Sequence, residues 1–144
     1  MIGIDTTLLV HIEIKESEAH AAATAVLRRR ILGHDREAGL APQVLTEFVH
    51  VVTDRRRFER PLSMHHAVEK ARFWWNAREV ARVFPCEETV PQFLAWMTEH
   101  NLGRKRVLDT MLAATYFANG ITTIVTSNAR DYRGFGVFEL VEFP

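Results

Sequence analysis

Apolar and polar positions along this chain follow two periods that trade places repeatedly. "MIGID" is a short apolar run that stops at an acid, the pattern of a buried strand, and "TTLLVHIE" begins a helical stretch. "SEAHAAATAVLRRRIL" predicts a longer helix with Ser17 as its cap. Gly39-Leu40-Ala41-Pro42 predicts a second short strand and a turn. In "QVLTEFVHVVTDRRRF" the residues Val44, Leu45, Phe48, Val51 and Val52 fall on one helical stripe. Pro61 interrupts the chain before "SMHHAVEKARFWWNAR", a helix opened by Ser63.

The second half keeps the rhythm. "EVARVF" reads as a strand ended by Pro85, and "TVPQFLAWMTEHN" as a helix with Thr89 at its cap and Pro91 in its first turn. "VLDTMLAATY" is helical and small-sided, Gly120 stops it, and the β-branched "ITTIVT" and the terminal "VFELVEF" follow as strands. Strands alternating with helices predict an α/β fold with a mostly parallel sheet and helices on its faces. No internal repeat, linker or low-complexity segment breaks the pattern, so one domain over 1–144 is expected.

Composition narrows the class. A chain of 144 residues that is 47% hydrophobic can bury a substantial core. No apolar run approaches the roughly 20 residues that a membrane helix needs. "MIGIDTTLLV" lacks the basic segment and cleavage site of a signal peptide, so a cytoplasmic location is expected. A single cysteine, Cys86, excludes a disulfide framework and a Cys-rich zinc site. The 18 basic and 18 acidic residues balance, which argues against broad adhesion to nucleic acid. Local basic clusters remain: Arg28-Arg29-Arg30, Arg55-Arg56-Arg57 with Arg60, and Arg104-Lys105-Arg106. Charge runs of this kind usually form solvated faces.

Candidate chemistry begins with acids in awkward places. Asp109 is the one charge in an otherwise apolar helix, where an unpaired carboxylate costs several kcal/mol or more. It could instead cap a helix beginning at Thr110. Asp5 ends the first strand, where α/β sheets bind their ligands, although it too could serve as an N-cap. Glu47 projects from the buried stripe of its helix, and Glu is rarely buried without a partner. Asp131 lies in the loop beyond the strand that ends at Thr126, a place where acids are commonly solvated. Carboxylates gathered from separate segments repel one another, and a hard divalent cation relieves that repulsion. Oxygen-only ligation suits Mg²⁺ or Mn²⁺, not zinc. The adjacent His65 and His66 diverge on a helix surface and are not read as ligands.

Four short motifs then match a family in order and spacing. "IDTTLL" after a strand, the helical Glu of "LTEFVHVV", "LDTMLAATYFANG" and "IVTSNARDY" together resemble PIN domains. The likeness is greatest to the VapC-type toxins of bacterial and archaeal toxin–antitoxin pairs, and it covers essentially the whole chain. It implies a PIN-like three-layer α/β/α sandwich and a metal-dependent endoribonuclease that hydrolyses RNA phosphodiester bonds. It also implies a cognate antitoxin and a homodimer. Carried onto these residues, the resemblance makes Asp5 and Asp109 metal ligands and Glu47 part of the acidic pocket, with Asp131 or Asn128 in the fourth position. Many family members have Asp where this chain has Asn128, and Thr7 replaces the usual Asn of the first motif.

The remaining roles follow from this site. A pocket carboxylate, Glu47 or Asp131, can position the attacking water. Thr6 and Thr126 are candidates to orient carboxylates or substrate phosphate. Arg104, Lys105 and Arg106, one turn before Asp109, are candidates for phosphate contact. The aromatic residues Phe73, Trp74, Trp75, Phe93 and Trp96 fit core packing better than base stacking. Two other classes stay open: a catalytically weak PIN-like RNA-binding or scaffold protein, favoured by Asn128, and a haloacid-dehalogenase-like phosphatase. The phosphatase class wants a second Asp at the position of Thr7.

Overall fold

A computed structural model describes residues 1–144. The elements run β1 (Ile2–Ile4), α1 (Thr6–Glu13), α2 (His20–Arg30), β2 (Ala38–Leu40), α3 (Pro42–Val52), α4 (Met64–Trp75) and β3 (Val80–Arg82). They continue with α5 (Thr89–Glu99), a 3₁₀ turn (Arg104–Arg106), α6 (Val107–Ala118), β4 (Thr123–Thr126), α7 (Arg130–Arg133) and β5 (Glu139–Glu142). The strands form one sheet in the order β3-β2-β1-β4-β5. Every strand pairing is parallel, so the sheet is wholly rather than mostly parallel. Helix α1 packs against both α2 and α3, α3 packs against α4, and α5 packs against α6, giving two helical groups around the sheet. No helix is long and apolar enough to cross a membrane.

The core is the expected hydrophobic stripe made three-dimensional. Val44, Phe48, Val51 and Val52 all turn inward from α3, and meet Ile4, Leu8, Leu9 and Leu40 in one apolar cluster. Pro42 starts α3 at a position where its missing N–H costs nothing. The Ser63 side chain accepts from the His66 N–H at 3.1 Å and caps α4. Gly120, at φ +76°, ends α6: the Gly120 and Ile121 N–H groups bond back to the Phe117 and Tyr116 carbonyls.

Some boundaries differ from those the sequence predicts. Helix α2 starts at His20, because Ser17 is held in the preceding turn, where its hydroxyl pairs with His11 Nδ1 at 2.5 Å. Thr89 lies inside α5, and its hydroxyl accepts from the Cys86 N–H of the turn before. Helix α3 stops at Val52, so Arg55, Arg56 and Arg57 sit in turns rather than on the helix. Cys86 is an exposed thiol. Of the aromatic run, Trp74 is buried and donates to Glu13, Trp75 is half-buried and Phe73 is exposed. Trp96 stacks on Phe135 inside the core at 4.4 Å between ring centres.

Strand order carries the functional consequence. From β1 the chain moves outward to β2 and β3, then returns across the sheet to β4 and β5. The direction of winding reverses between β1 and β4, and a crevice opens beyond the carboxyl ends of such a strand pair. Asp5 follows β1 directly and Ser127 follows β4, so both lie at this crevice.

Candidate functional site

Asp5 is 5% exposed, and a carboxylate so deeply buried needs donors. It occupies the N-cap position of α1, yet its side chain makes no capping bond. Instead, three hydroxyls point at it. Thr7 Oγ1 and Thr126 Oγ1 donate to Asp5 Oδ2 at 2.9 and 2.6 Å, and the Tyr132 hydroxyl donates to Oδ1 at 2.8 Å. Each threonine hydroxyl is itself oriented by the turn after β4. The Ser127 N–H donates to Thr7 Oγ1 at 3.1 Å and the Asn128 N–H to Thr126 Oγ1 at 2.9 Å. Since each hydroxyl has one proton, accepting from the backbone leaves that proton for Asp5. Burial and the negative charges of Asp5 and Asp109 hold the Tyr132 phenol well above its ordinary pKa, so it acts purely as a donor.

The other acids converge on the same crevice. Asp109 stands in the first turn of α6, which starts at Val107, so it is not the cap of that helix. Its pKa is raised to about 6, first by burial and then by the charges of Asp5, Asp131 and Glu47, with Arg106 the one opposing influence. Glu47 is exposed at the rim rather than buried on the stripe, because a position three residues past Val44 falls at the stripe's edge. Partial burial raises its pKa and the charge of Asp5 adds to this, while a 3.1 Å bond from Thr6 Oγ1 and the charge of Arg57 oppose it. Asp131 lies on the short helix α7 rather than in an open loop, with Arg106 Nε 3.9 Å from its carboxylate.

That contact changes the role of one expected phosphate contact. Arg106 also donates from Nη2 to the Asp131 backbone carbonyl, so its side chain fastens the α6 entry to α7. Arg104 and Lys105 are exposed on the 3₁₀ turn before α6. Asn128 is exposed and contributes its backbone N–H to the Asp5 support; its side chain is uncommitted.

The donor set fits a hard divalent cation. It is built of carboxylate oxygens, and mutual repulsion is the main electrostatic influence on Asp109 after burial. As arranged here, no three of the His, Cys, Asp or Glu side chains enclose a ready-made cage. Thr7 and Tyr132 are the functional side chains that sequence reasoning assigned no direct bond. Tyr132 is the aromatic of "NARDY", but an aromatic after an acid reveals nothing about a partner 127 positions away in the chain.

Comparison with known proteins agrees with this architecture. The PIN domain family model matches residues 2–134. The chain is 28% identical over 138 residues to a "VapC ribonuclease" of Mycobacterium bovis and to "Ribonuclease VapC43" of Mycobacterium tuberculosis, covering 96% of this chain and 90% of each relative. Its fold is similar to VapBC2 from Rickettsia felis, solved bound to a DNA fragment from their promoter (TM-score 0.70, 14% identity, all of both chains covered). It is also similar to Mycobacterium tuberculosis VapC20, described as a sarcin-ricin loop cleaving toxin (TM-score 0.66, 17% identity, 86% and 87% covered).

Proposed function

Because this chain belongs to the PIN domain family, we propose that it is a metal-dependent endoribonuclease that hydrolyses RNA phosphodiester bonds. In this reading it is the toxin of a VapBC-type pair, restrained in the cytoplasm by a cognate antitoxin and working as a homodimer. The observation that carries the reading is the convergence of Asp5, Glu47, Asp109 and Asp131, from four separate stretches of the chain, on one crevice, where burial first and then the charges of the other three raise the pKa of Asp109 to about 6. Relatives called VapC ribonucleases, aligned over nearly the whole chain, support the same chemistry.

Asp5 and Asp109 would hold Mg²⁺ or Mn²⁺, with Glu47 and Asp131 completing the acidic set. Held there, such an ion would supply Lewis-acid polarisation of a phosphodiester oxygen and a water of lowered pKa. Asp5 is kept in one orientation by Thr7, Thr126 and Tyr132, which fixes where the substrate phosphate is met. Glu47, with its carboxyl raised and accessible at the rim, takes the proton of the attacking water. Arg104 and Lys105 draw the polyanion toward a crevice that would otherwise repel it. Arg106 holds Asp131 in place.

The test is cleavage of single-stranded RNA by the purified protein with Mg²⁺ or Mn²⁺. Activity should stop with EDTA, and Asp5→Asn or Asp109→Asn should each lower it by about 100-fold or more, a loss of several kcal/mol of charge stabilisation. Cleavage that survives both the chelator and the double substitution would exclude this site. RNA binding without cleavage would favour the catalytically weak reading that Asn128 suggests.

A further inference from the structure

Beside the acidic crevice lies a second cavity of about 280 Å³, between α1, α3 and the turn after β4. It shares Thr6, Thr7 and Glu47 with the acid site, so the two are continuous. Val51 and Phe58 supply apolar wall, and Arg57, Ser127 and Asn128 supply polar edge. The volume is near the lower end of the roughly 300–1,000 Å³ typical of small-molecule pockets, which suits one ligand unit rather than a folded duplex.

Arg57 is the cation in this lining. It comes from the Arg55-Arg56-Arg57 run, whose position beyond the end of α3 brings this one arginine to the cavity. It lines the same cavity as Glu47. In the chain its Nε lies 3.6 Å from Asp54, but Arg56 already serves that carboxylate through both its backbone N–H and its side chain. Asp54 therefore keeps a partner when Arg57 turns toward a ligand. The bonds that hold the turn after β4 use the Ser127 and Asn128 backbone N–H groups, which leaves the amide side chain of Asn128 free to donate and accept. A cation beside apolar wall, with an amide at the edge and an acid site next door, matches a nucleotide's phosphate, ring and polar base edge.

We infer that this cavity receives the nucleotide adjacent to the scissile phosphate, with Arg57 holding its phosphate and Asn128 facing its base. The inference rests on the ribonuclease reading, and adds to it a subsite for one unstacked nucleotide. An unstacked base can enter such a cavity, whereas a base within a duplex cannot. Arg57 is a substrate-binding residue here and takes no part in breaking the bond.

The test is steady-state cleavage of a mixed-sequence, fluorophore-labelled single-stranded RNA with Mg²⁺. Arg57→Ala should raise KM about tenfold with kcat within about twofold, and should lower the salt dependence by about the 0.7 log–log slope of one phosphate contact. Arg57→Lys should regain most of the loss, and Asn128→Ala should alter base preference at one flanking position. Arg60→Ala, outside the cavity, should behave like the parent. An unchanged KM in an Arg57→Ala protein that melts with the parent would overturn the subsite alone. A parent that neither binds nor cleaves RNA would overturn the ribonuclease reading and this subsite with it.

Discussion

Asp109 sits where three other carboxylates oppose its charge, and the consequence is measurable as stability. Its pKa in the folded chain is about 6 against an ordinary 3.8, so the folded state binds its proton more tightly than the unfolded state does. The stability this contributes is full below about pH 4 and is lost as pH rises through about 6. Asp109→Asn removes the loss, since Asn stays neutral throughout. In EDTA the variant should be more stable than the parent by about 1–2 kcal/mol at pH 7.5, a figure reduced for the partial exposure of the group. At pH 4 the two should unfold alike. Thermal melts of both proteins at the two pH values check this, and a gap that fails to open with pH would mean that neither burial nor repulsion raises the Asp109 pKa.

At the scale of the element, β1 is a three-residue strand that must deliver Asp5 to the crevice, and its position depends on Gly3. A Cβ built on Gly3 would lie 2.8 Å from the Tyr116 ring. That ring cannot retreat, because the buried hydroxyl donates to the Ile4 carbonyl at 2.6 Å and lies 3.1 Å from the Gly39 carbonyl. Gly3→Ala should therefore destabilise the fold by about 1–3 kcal/mol, the usual cost of overpacking, and lower nuclease activity as β1 shifts. Gly134→Ala is the control: its added carbon meets nothing within 4 Å, and the denaturation midpoint should hardly move. Equal midpoints for the two alanine variants would show that β1 has room to spare. The helices follow a similar logic at their ends. Local signals suffice at Ser63 and Gly120, whereas at Ser17 a side-chain partner outside the helix draws the hydroxyl away from capping α2.

For the molecule as a whole, balanced net charge conceals a local imbalance, with four of the 18 acidic residues gathered at one crevice. A cation that binds the folded chain and not the unfolded one must raise its stability. Mn²⁺ or Mg²⁺ at about 100 times its dissociation constant should add about 2.7 kcal/mol, seen as a rise of several degrees in the melting temperature. Asp5→Asn with Asp109→Asn should abolish that rise. A metal-induced shift that persists in the double variant would mean that the ion binds elsewhere.

The alternation of strands and helices, the buried stripe of α3 and the acids that mark the crevice were all legible in the order of residues. Periodicity and breakers are local properties, and a charge among apolar neighbours is conspicuous wherever it lies. The four short motifs likewise carried the family. Tertiary structure alone decided which donors answer each acid. Thr126 and Tyr132 reach Asp5 because β1 and β4 are neighbours, a pairing that joins residues more than 100 positions apart. It also gave Arg106 Asp131 as a partner, set Glu47 at the rim, and brought Arg57 rather than Arg55 or Arg56 to the second cavity. A side chain's partner depends on where strand order and helix ends place it, and those distances are set by packing across the whole sheet.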